Sequence, residues 1–558
     1  MKHLREMTRS QERHVFLDVL RRWFVWYIPP VFGAFLSVLV GPLSGFDLVN
    51  LRWMAGWVMI SGADGLYGSV ASLLTRSWLH DAAIALLLEQ RLWWLGPAIL
   101  GAVHGLIVPI TYRTIRLSAS QLSKTGTAVL AWTSILSPLV LMHIGRETGH
   151  LFAALFLGLS VRLFLKNEKA GLGIGLLLGF APLLKVSALL PALVFGMAFA
   201  IGLKGVQRVR VLIGAIGVLW FGSLLQSLLF AARSATWSQI WVWGHLFSTF
   251  RVGIISLGLL IAIRWCIGRS GTDRSKMQWL NSSRISTTFL VSGIAILTWY
   301  IRESDSADPR FRPPPLGHLI RQLLMSGNSR APISLSDWEV LYLDNSRIVL
   351  VAFSAVAGIM MLIHSQWTSV ERRMLLASLA IGGSVILVQA SMGYVRYASP
   401  SIALLPIAVG CVIGVNRGKR LWREVMLFSV SAIVLLPVFD TGTWFRAPGL
   451  RSYEGFGTLL DEEEVRLLSN LLPADSMVFL YGSGTTSAAP VTGRTDIQWQ
   501  LSPKRPDQVG RDFATLIYNP GETVELDKFS TRGWNFEICQ VLRFKNISYG
   551  WCAMSAGP

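Results

Sequence analysis

The first residue with chemistry to offer is Asp47, in Gly45-Phe46-Asp47-Leu48-Val49-Asn50, directly after the first long apolar run. A carboxylate placed where hydrocarbon gives way to water is costly unless it is used. Such a group can act as a general base, taking the proton of a hydroxyl as that oxygen attacks a carbon. The plainer alternative is a helix-end carboxylate closing a local turn with Asn50. Other polar side chains stand at comparable places. Glu147 and His150 share the turn Gly145-Arg146-Glu147-Thr148-Gly149-His150, Lys185 follows Pro182, and Arg396 precedes a late apolar run between Tyr394 and Tyr397. Asp64 and Tyr67 lie in a semi-apolar stretch after Asp47, where they can contact the hydroxyls of a ligand or simply face water.

These residues need a scaffold, and composition says which kind. Of 558 residues, 52% are hydrophobic and 15% charged, with a mean hydropathy of +0.49, which excludes an ordinary soluble domain. Apolar runs of roughly 17 to 25 residues, long enough to cross about 30 Å of hydrocarbon, recur from Phe24 to about Phe439 and then stop. About thirteen crossings follow, in an α-helical polytopic membrane protein. The basic residues gather in alternate short loops (Arg113, Arg116 and Lys124; Lys166 and Lys169; Lys204 and Arg208; Arg372 and Arg373; Arg417 to Arg423), which the positive-inside rule makes cytoplasmic. The N-terminus, with Lys2, Arg5, Arg9 and Arg13, then lies in the cytoplasm ahead of a retained first span. Asp47, Glu147, Lys185, Arg396 and the tail fall outside. The net charge of +19 is accounted for by these loops, so no nucleic-acid partner is implied.

Three regions result: a basic cytoplasmic N-terminus over 1–23, a transmembrane module over 24–439 with outer loops at 44–91 and 302–347, and an extracytoplasmic α/β tail over 440–558. In the tail the pattern predicts a helix near Leu459 to Leu472, strands at Ser476 to Tyr481 and Ala514 to Tyr518, and a hairpin between Phe536 and Trp551. Cys539 and Cys552 can bridge the last two strands if the tail faces an oxidising compartment, although spacing alone does not set the geometry. Cys411, inside an apolar run, is a small core residue, and His104 is a packing histidine.

Three local patterns carry a resemblance. The first is Phe46-Asp47, Ala55-Gly56 and Gly62 with Leu66-Tyr67. The second joins Ser137-Pro138, Glu147 and His150 to the glycine-rich run from Gly171 to Gly179, then Pro182-Leu183-Leu184-Lys185 and Pro191. The third is Arg396-Tyr397-Ala398-Ser399-Pro400. Together they resemble the GT-C superfamily, the multi-span glycosyltransferases that take sugar from a polyprenyl or dolichyl phosphate, with a mannosyltransferase-like pattern in the first outer loop. The tail has no counterpart in that resemblance.

The resemblance implies transfer of a mannose-like hexose or a pentose from a polyprenyl-phosphate donor in the cell membrane to an extracytoplasmic glycan or glycolipid of the envelope. Phosphate leaves as a stabilised anion, so one base suffices, and attack from the opposite side inverts the anomeric carbon. Asp47 is then the base. Arg396 and Lys185 hold the departing phosphate, a task to which planar, bidentate arginine is suited; otherwise they are interfacial anchors. Asp64, Tyr67, Glu147, His150 and Tyr397 are the candidate substrate contacts. Glu147 and His150 with Asp47 lack a metal-ligand spacing, so no cofactor is assigned, while a divalent ion stays open. Two other readings remain. Arg302, Arg310, Arg312 and Arg321 in the second outer loop suit a polymerase or ligase acting on an undecaprenyl-diphosphate glycan. A lipid or solute transporter would instead show internal repeats and charges at mid-membrane, and neither is evident.

Overall fold

The structure is a computed structural model and describes residues 18–40, 95–141, 149–185, 188–233, 345–363, 367–392, 398–416, 420–439, 462–481, 488–500, 505–520, 527–544 and 548–557, with positions 16 and 485. These residues group into two units, a helical one within 16–215 and 345–439 and a second that contains the sheet of 462–557.

The helical unit is built around its most apolar segment. Leu405–Val415 is hydrophobic all round and every residue but Gly414 is buried, as befits a helix surrounded by others. It packs against Ile107–Ser118, Lys124–Leu136, Asn345–Ile363 and Ser369–Met392. At the periphery the logic inverts. Phe35 on Ile28–Val40 is 62% exposed, Leu362 87% and Leu436 62%, all on helices whose opposite sides are buried. In water such surfaces would drive association, whereas hydrocarbon accepts them at no cost. Among the described residues one continuous stretch, Ala98–Ser118, has the length and apolar character to cross a bilayer alone, and Gly171–Leu184, Leu189–Gly202, Ile348–Ile363 and Leu405–Val415 are shorter apolar helices.

Small residues let these helices approach closely, the packing device available where lipid removes the hydrophobic drive between them. Ile28–Val40 crosses Leu95–Gly105 so tightly that a Cβ on Gly101 would sit 2.2 Å from the Gly33 carbonyl oxygen, and one on Gly105 2.3 Å from that of Pro29. The pairing of 33 with 101 and 29 with 105 makes the two helices antiparallel. Leu95–Gly105 continues as Ile107–Ser118 through a break at Leu106, and Ile107–Ser118 buries one face while turning Arg113 outward.

One end of the unit carries the basic loops. Ser123 caps Lys124–Leu136 by accepting from the Gly126 N–H at 2.9 Å, and Glu424 accepts from the Ser123 N–H (2.7 Å) and hydroxyl (2.6 Å). Arg373, only 5% exposed, donates to the Phe164 carbonyl at 2.9 Å and pairs with Glu168 at 3.2 Å. These contacts tie the loop after Ser118 to the start of Arg420–Phe439, and the end of His150–Lys166 with its following loop to the start of Ser369–Met392.

The C-terminal residues form a five-stranded sheet in the order β2-β1-β3-β5-β4. β1 (Met477–Tyr481) is parallel to both β2 (Gln498–Gln500) and β3 (Phe513–Tyr518), and β5 (Ser548–Ala556) is antiparallel to β3 and to β4 (Trp534–Arg543). β1, between β2 and β3, is buried on both faces and so lacks a polar alternation. Val478 and Leu480 join Trp499, Ile517 and Leu468 on one side; Met477 and Phe479 join Leu516, Phe529 and Trp534 on the other. Cys539 lies directly opposite Cys552 and the two are joined as a disulfide, so the bridge left open by the sequence exists.

Candidate active site

Of the residues singled out in the sequence, Asp47, Asp64, Tyr67, Glu147, Arg396 and Tyr397 lie outside the described residues; His150 and Lys185 lie within them. The structure therefore shows where two candidate side chains sit and which described residues flank the others.

His150 is the first residue of His150–Lys166, and it enters from Gly149 at φ 69°, ψ −7°. That left-handed conformation comes without strain only to glycine, and it turns the chain sharply into the helix. After 17 residues, about 25 Å of rise, the helix ends beside the basic loop Asn167 to Ala170. Gly171–Leu184 then returns antiparallel along it and stops at Lys185, whose extended backbone (φ −154°, ψ 113°) closes the helix with its N–H on the Ala181 carbonyl. Pro182 does not break this helix, which runs two residues further, because the Pro182 ring needs only the loss of one backbone donor near a helix end. His150 is 1% and Lys185 7% exposed, and neither is left without an interaction. A cation at a helix C-terminus is favoured by the carbonyl dipoles there.

Described residues that flank some of the other candidates reach the same end of the unit. Ile28–Val40 runs toward it, and Asp47 follows seven residues after Val40. Pro138–Leu141 precedes Glu147, and Ser399–Ile402, which packs on Pro138–Leu141 and on His150–Lys166, follows Arg396 and Tyr397. Two hydroxyl pairs pin this arrangement. Ser137 and Ser346 meet at 2.9 Å, and Ser384 donates to Ser401 at 2.7 Å, all four side chains being buried. Sequence reasoning passed over these serines, although Ser137-Pro138 and Ser399-Pro400-Ser401 already marked two helix starts. His104 sits deeper, its ring edge-on to Phe152 with centroids 5.0 Å apart, in the packing role its apolar surroundings predicted.

No group of three or more metal-ligating side chains occurs among the described residues. Chemically, this end supplies a buried lysine and histidine on adjacent helix termini.

No family model matches the sequence, and no curated protein matches it. Solved structures do. The Archaeoglobus fulgidus oligosaccharyltransferase tethered to an acceptor peptide containing the NVT sequon aligns over 91% of this chain and 71% of its own, with a TM-score of 0.52 and 11% identity. Its apo form aligns over 88% and 70% (TM-score 0.49, 12% identity), and ArnT from Cupriavidus metallidurans in the apo state over 98% of both chains (TM-score 0.37, 12% identity). At this identity the likeness is one of fold, and it rests on the first of these alignments: the chain shares its fold with the Archaeoglobus fulgidus oligosaccharyltransferase.

Proposed function

We propose that this protein is a membrane glycosyltransferase that moves a sugar, a mannose-like hexose or a pentose, from a polyprenyl-phosphate donor to an extracytoplasmic glycan or lipid acceptor. The observation that carries the reading is the gathering of His150, Lys185 and the flanks of the Asp47, Glu147 and Arg396 segments at one end of a helical unit with the GT-C fold. Asp47 takes the proton of the acceptor hydroxyl. The acceptor oxygen forms its bond to the anomeric carbon while the bond from that carbon to the phosphate oxygen breaks, and the electron pair leaves with the phosphate. Arg396 and Lys185 hold the phosphate as its charge grows, a contribution that is largest in a site shielded from water. Asp64, Tyr67, Glu147, His150 and Tyr397 orient donor and acceptor.

Sidedness follows the same reading. Arg116, Lys124, Lys166, Lys169, Lys204, Arg208, Arg372 and Arg373 collect at the end opposite to His150 and Lys185, which supports a cytoplasmic basic end and an extracytoplasmic candidate site. The Cys539–Cys552 disulfide supports an extracytoplasmic place for the 440–558 tail, since such bridges persist in oxidising compartments.

The test is incubation of the purified protein with polyprenyl-phosphate sugars and envelope acceptors. Transfer is expected in the native protein, with a loss of about 10²- to 10⁴-fold in Asp47→Asn at unchanged expression and folding. Native-like turnover in that variant would remove the base assignment. The fold likeness to an oligosaccharyltransferase favours a second reading, in which the lipid carries a whole glycan on a diphosphate. Transfer from a diphosphate-linked glycan and none from a monophosphate would select it.

A further inference from the structure

Among the described residues, two arginines at the basic end have no carboxylate to answer them. Arg113 on Ile107–Ser118 and Arg162 on His150–Lys166 belong to neighbouring helices that pack together. A Cβ on Gly158 would lie 3.6 Å from Ile110, which sets the two helices at one level there. One turn further on brings Arg113 and Arg162 to the same height, where their positive charges repel. Both stand about 6 to 8 Å short of the helix ends, Ser118 and Lys166, at headgroup depth in a bilayer.

The Arg113 guanidinium lies over the Trp26 ring, 4.0 Å from its centroid. A ring at this distance covers one side of the cation and leaves N–H groups free for an anion on the other. Among the described residues neither Arg113 nor Arg162 has a hydrogen-bond or salt-bridge partner. The described carboxylates of this unit are engaged elsewhere. Asp18 pairs with Arg21 at 2.8 Å and Lys124 at 4.0 Å, Glu168 with Arg373, Glu424 binds Ser123, and Glu371 accepts from Thr368. Trp23 and Tyr27, on the same helical turn as Trp26, are 55% and 57% exposed, as aromatic side chains are at a lipid–water boundary.

We propose that Arg113 and Arg162, with Trp26 as backing, form a binding site for a phosphate-bearing anion at the basic face of the protein. A phosphate oxygen between the two guanidiniums removes their repulsion and receives charge-assisted hydrogen bonds from both, which lysine point charges cannot reproduce. The phosphodiester of an anionic lipid headgroup and free phosphate share this chemistry. The site lies at the opposite end from Lys185 and His150, and it depends on the helices spanning a bilayer, not on glycosyl transfer.

Native mass spectrometry of the full-length, detergent-solubilised protein tests it without any sugar donor. Phosphatidylglycerol and phosphatidylcholine are titrated separately, then inorganic phosphate. The native protein should hold phosphatidylglycerol at least tenfold more tightly than phosphatidylcholine, and the Arg113→Gln/Arg162→Gln variant should lose that preference. The Arg113→Lys/Arg162→Lys variant, which keeps both charges, should retain only part of it. Phosphate adducts at micromolar concentration that displace the lipid, lost in the Gln variant, support the same site with the free ion as its source. Undiminished phosphatidylglycerol preference in the Gln variant overturns the proposal. If that double variant fails to fold, Arg162→Gln alone is read by the same criterion.

Discussion

His150 opens one arm of a helical hairpin and Lys185 closes the other, so two buried side chains far apart in sequence stand at adjacent helix termini on one end of the helical unit. The loop Asn167 to Ala170 makes this happen. It is long enough to reverse the chain and too short to let the second helix do anything but lie against the first.

If Lys185 holds the donor phosphate, Lys185→Met should lower kcat/KM for the lipid-phosphate donor by about 10²-fold, within the range found when one charge-stabilising donor is removed from an active site. Lys185→Arg should recover part of it. Donor-dependent kinetics in membranes check this, and an unchanged kcat/KM for Lys185→Met would return Lys185 to the role of an interfacial anchor.

The Gly33–Gly101 crossing leaves no room for a larger side chain. Gly101→Val should cost about 1–3 kcal/mol through forced separation of Ile28–Val40 from Leu95–Gly105. The thermal midpoint of the solubilised protein reports it. Gly217→Ala is the control, because a Cβ there meets nothing within 4 Å.

Breaking the Cys539–Cys552 bridge should loosen the C-terminal sheet. The bridged residues are 13 apart in sequence, a loop for which chain-entropy arguments put the contribution at about 3 kcal/mol. Cys539→Ser/Cys552→Ser, or reduction of the native protein, should speed proteolysis and hydrogen exchange in β4 and β5 while leaving the helical unit unaffected. Equal protection in both forms would refute this.

Asp496 gives the tail a measurable acid dependence. Hydrogen bonding from Arg494 holds its carboxyl down to about 2, despite partial burial acting the other way. Because the folded value lies below the unfolded one, near 3.9, the stabilisation is complete above that range and is lost as pH falls toward 2. Arg494 also donates to the carbonyls of Ser469 (3.0 Å) and Leu472 (3.1 Å), closing the Glu462–Asn470 helix. Hydrogen exchange in that helix should therefore accelerate between about pH 4 and pH 2 in the native protein. In Asp496→Asn the dependence should be flatter, and the effect small, because the pair is partly exposed.

Much of the scaffold was legible before any coordinates. Among the described residues, helices stand where the apolar runs predicted them, from Ile28–Val40 to Arg420–Phe439, and the tail's strands fall within a few residues of the expected positions, because hydrophobic length and alternation are local properties. β2 escaped notice: three residues make no pattern, and Gln498–Gln500 is a strand only because β1 pairs with it. Candidate residues were legible one at a time, as charges at the ends of apolar runs.

Sequence alone determined the membrane class, the positions of the described helices, the basic loops and the resemblance carried by Asp47, Lys185 and Arg396. Tertiary structure alone decided which ends meet, through the hairpin joining His150 to Lys185, the Ser384–Ser401 bond and the Gly33–Gly101 crossing. The same holds for the sheet order β2-β1-β3-β5-β4 and for the pairing of Cys539 with Cys552. The division has one cause: periodicity is written over a few consecutive residues, whereas register and neighbour choice arise from packing between segments that the chain keeps far apart.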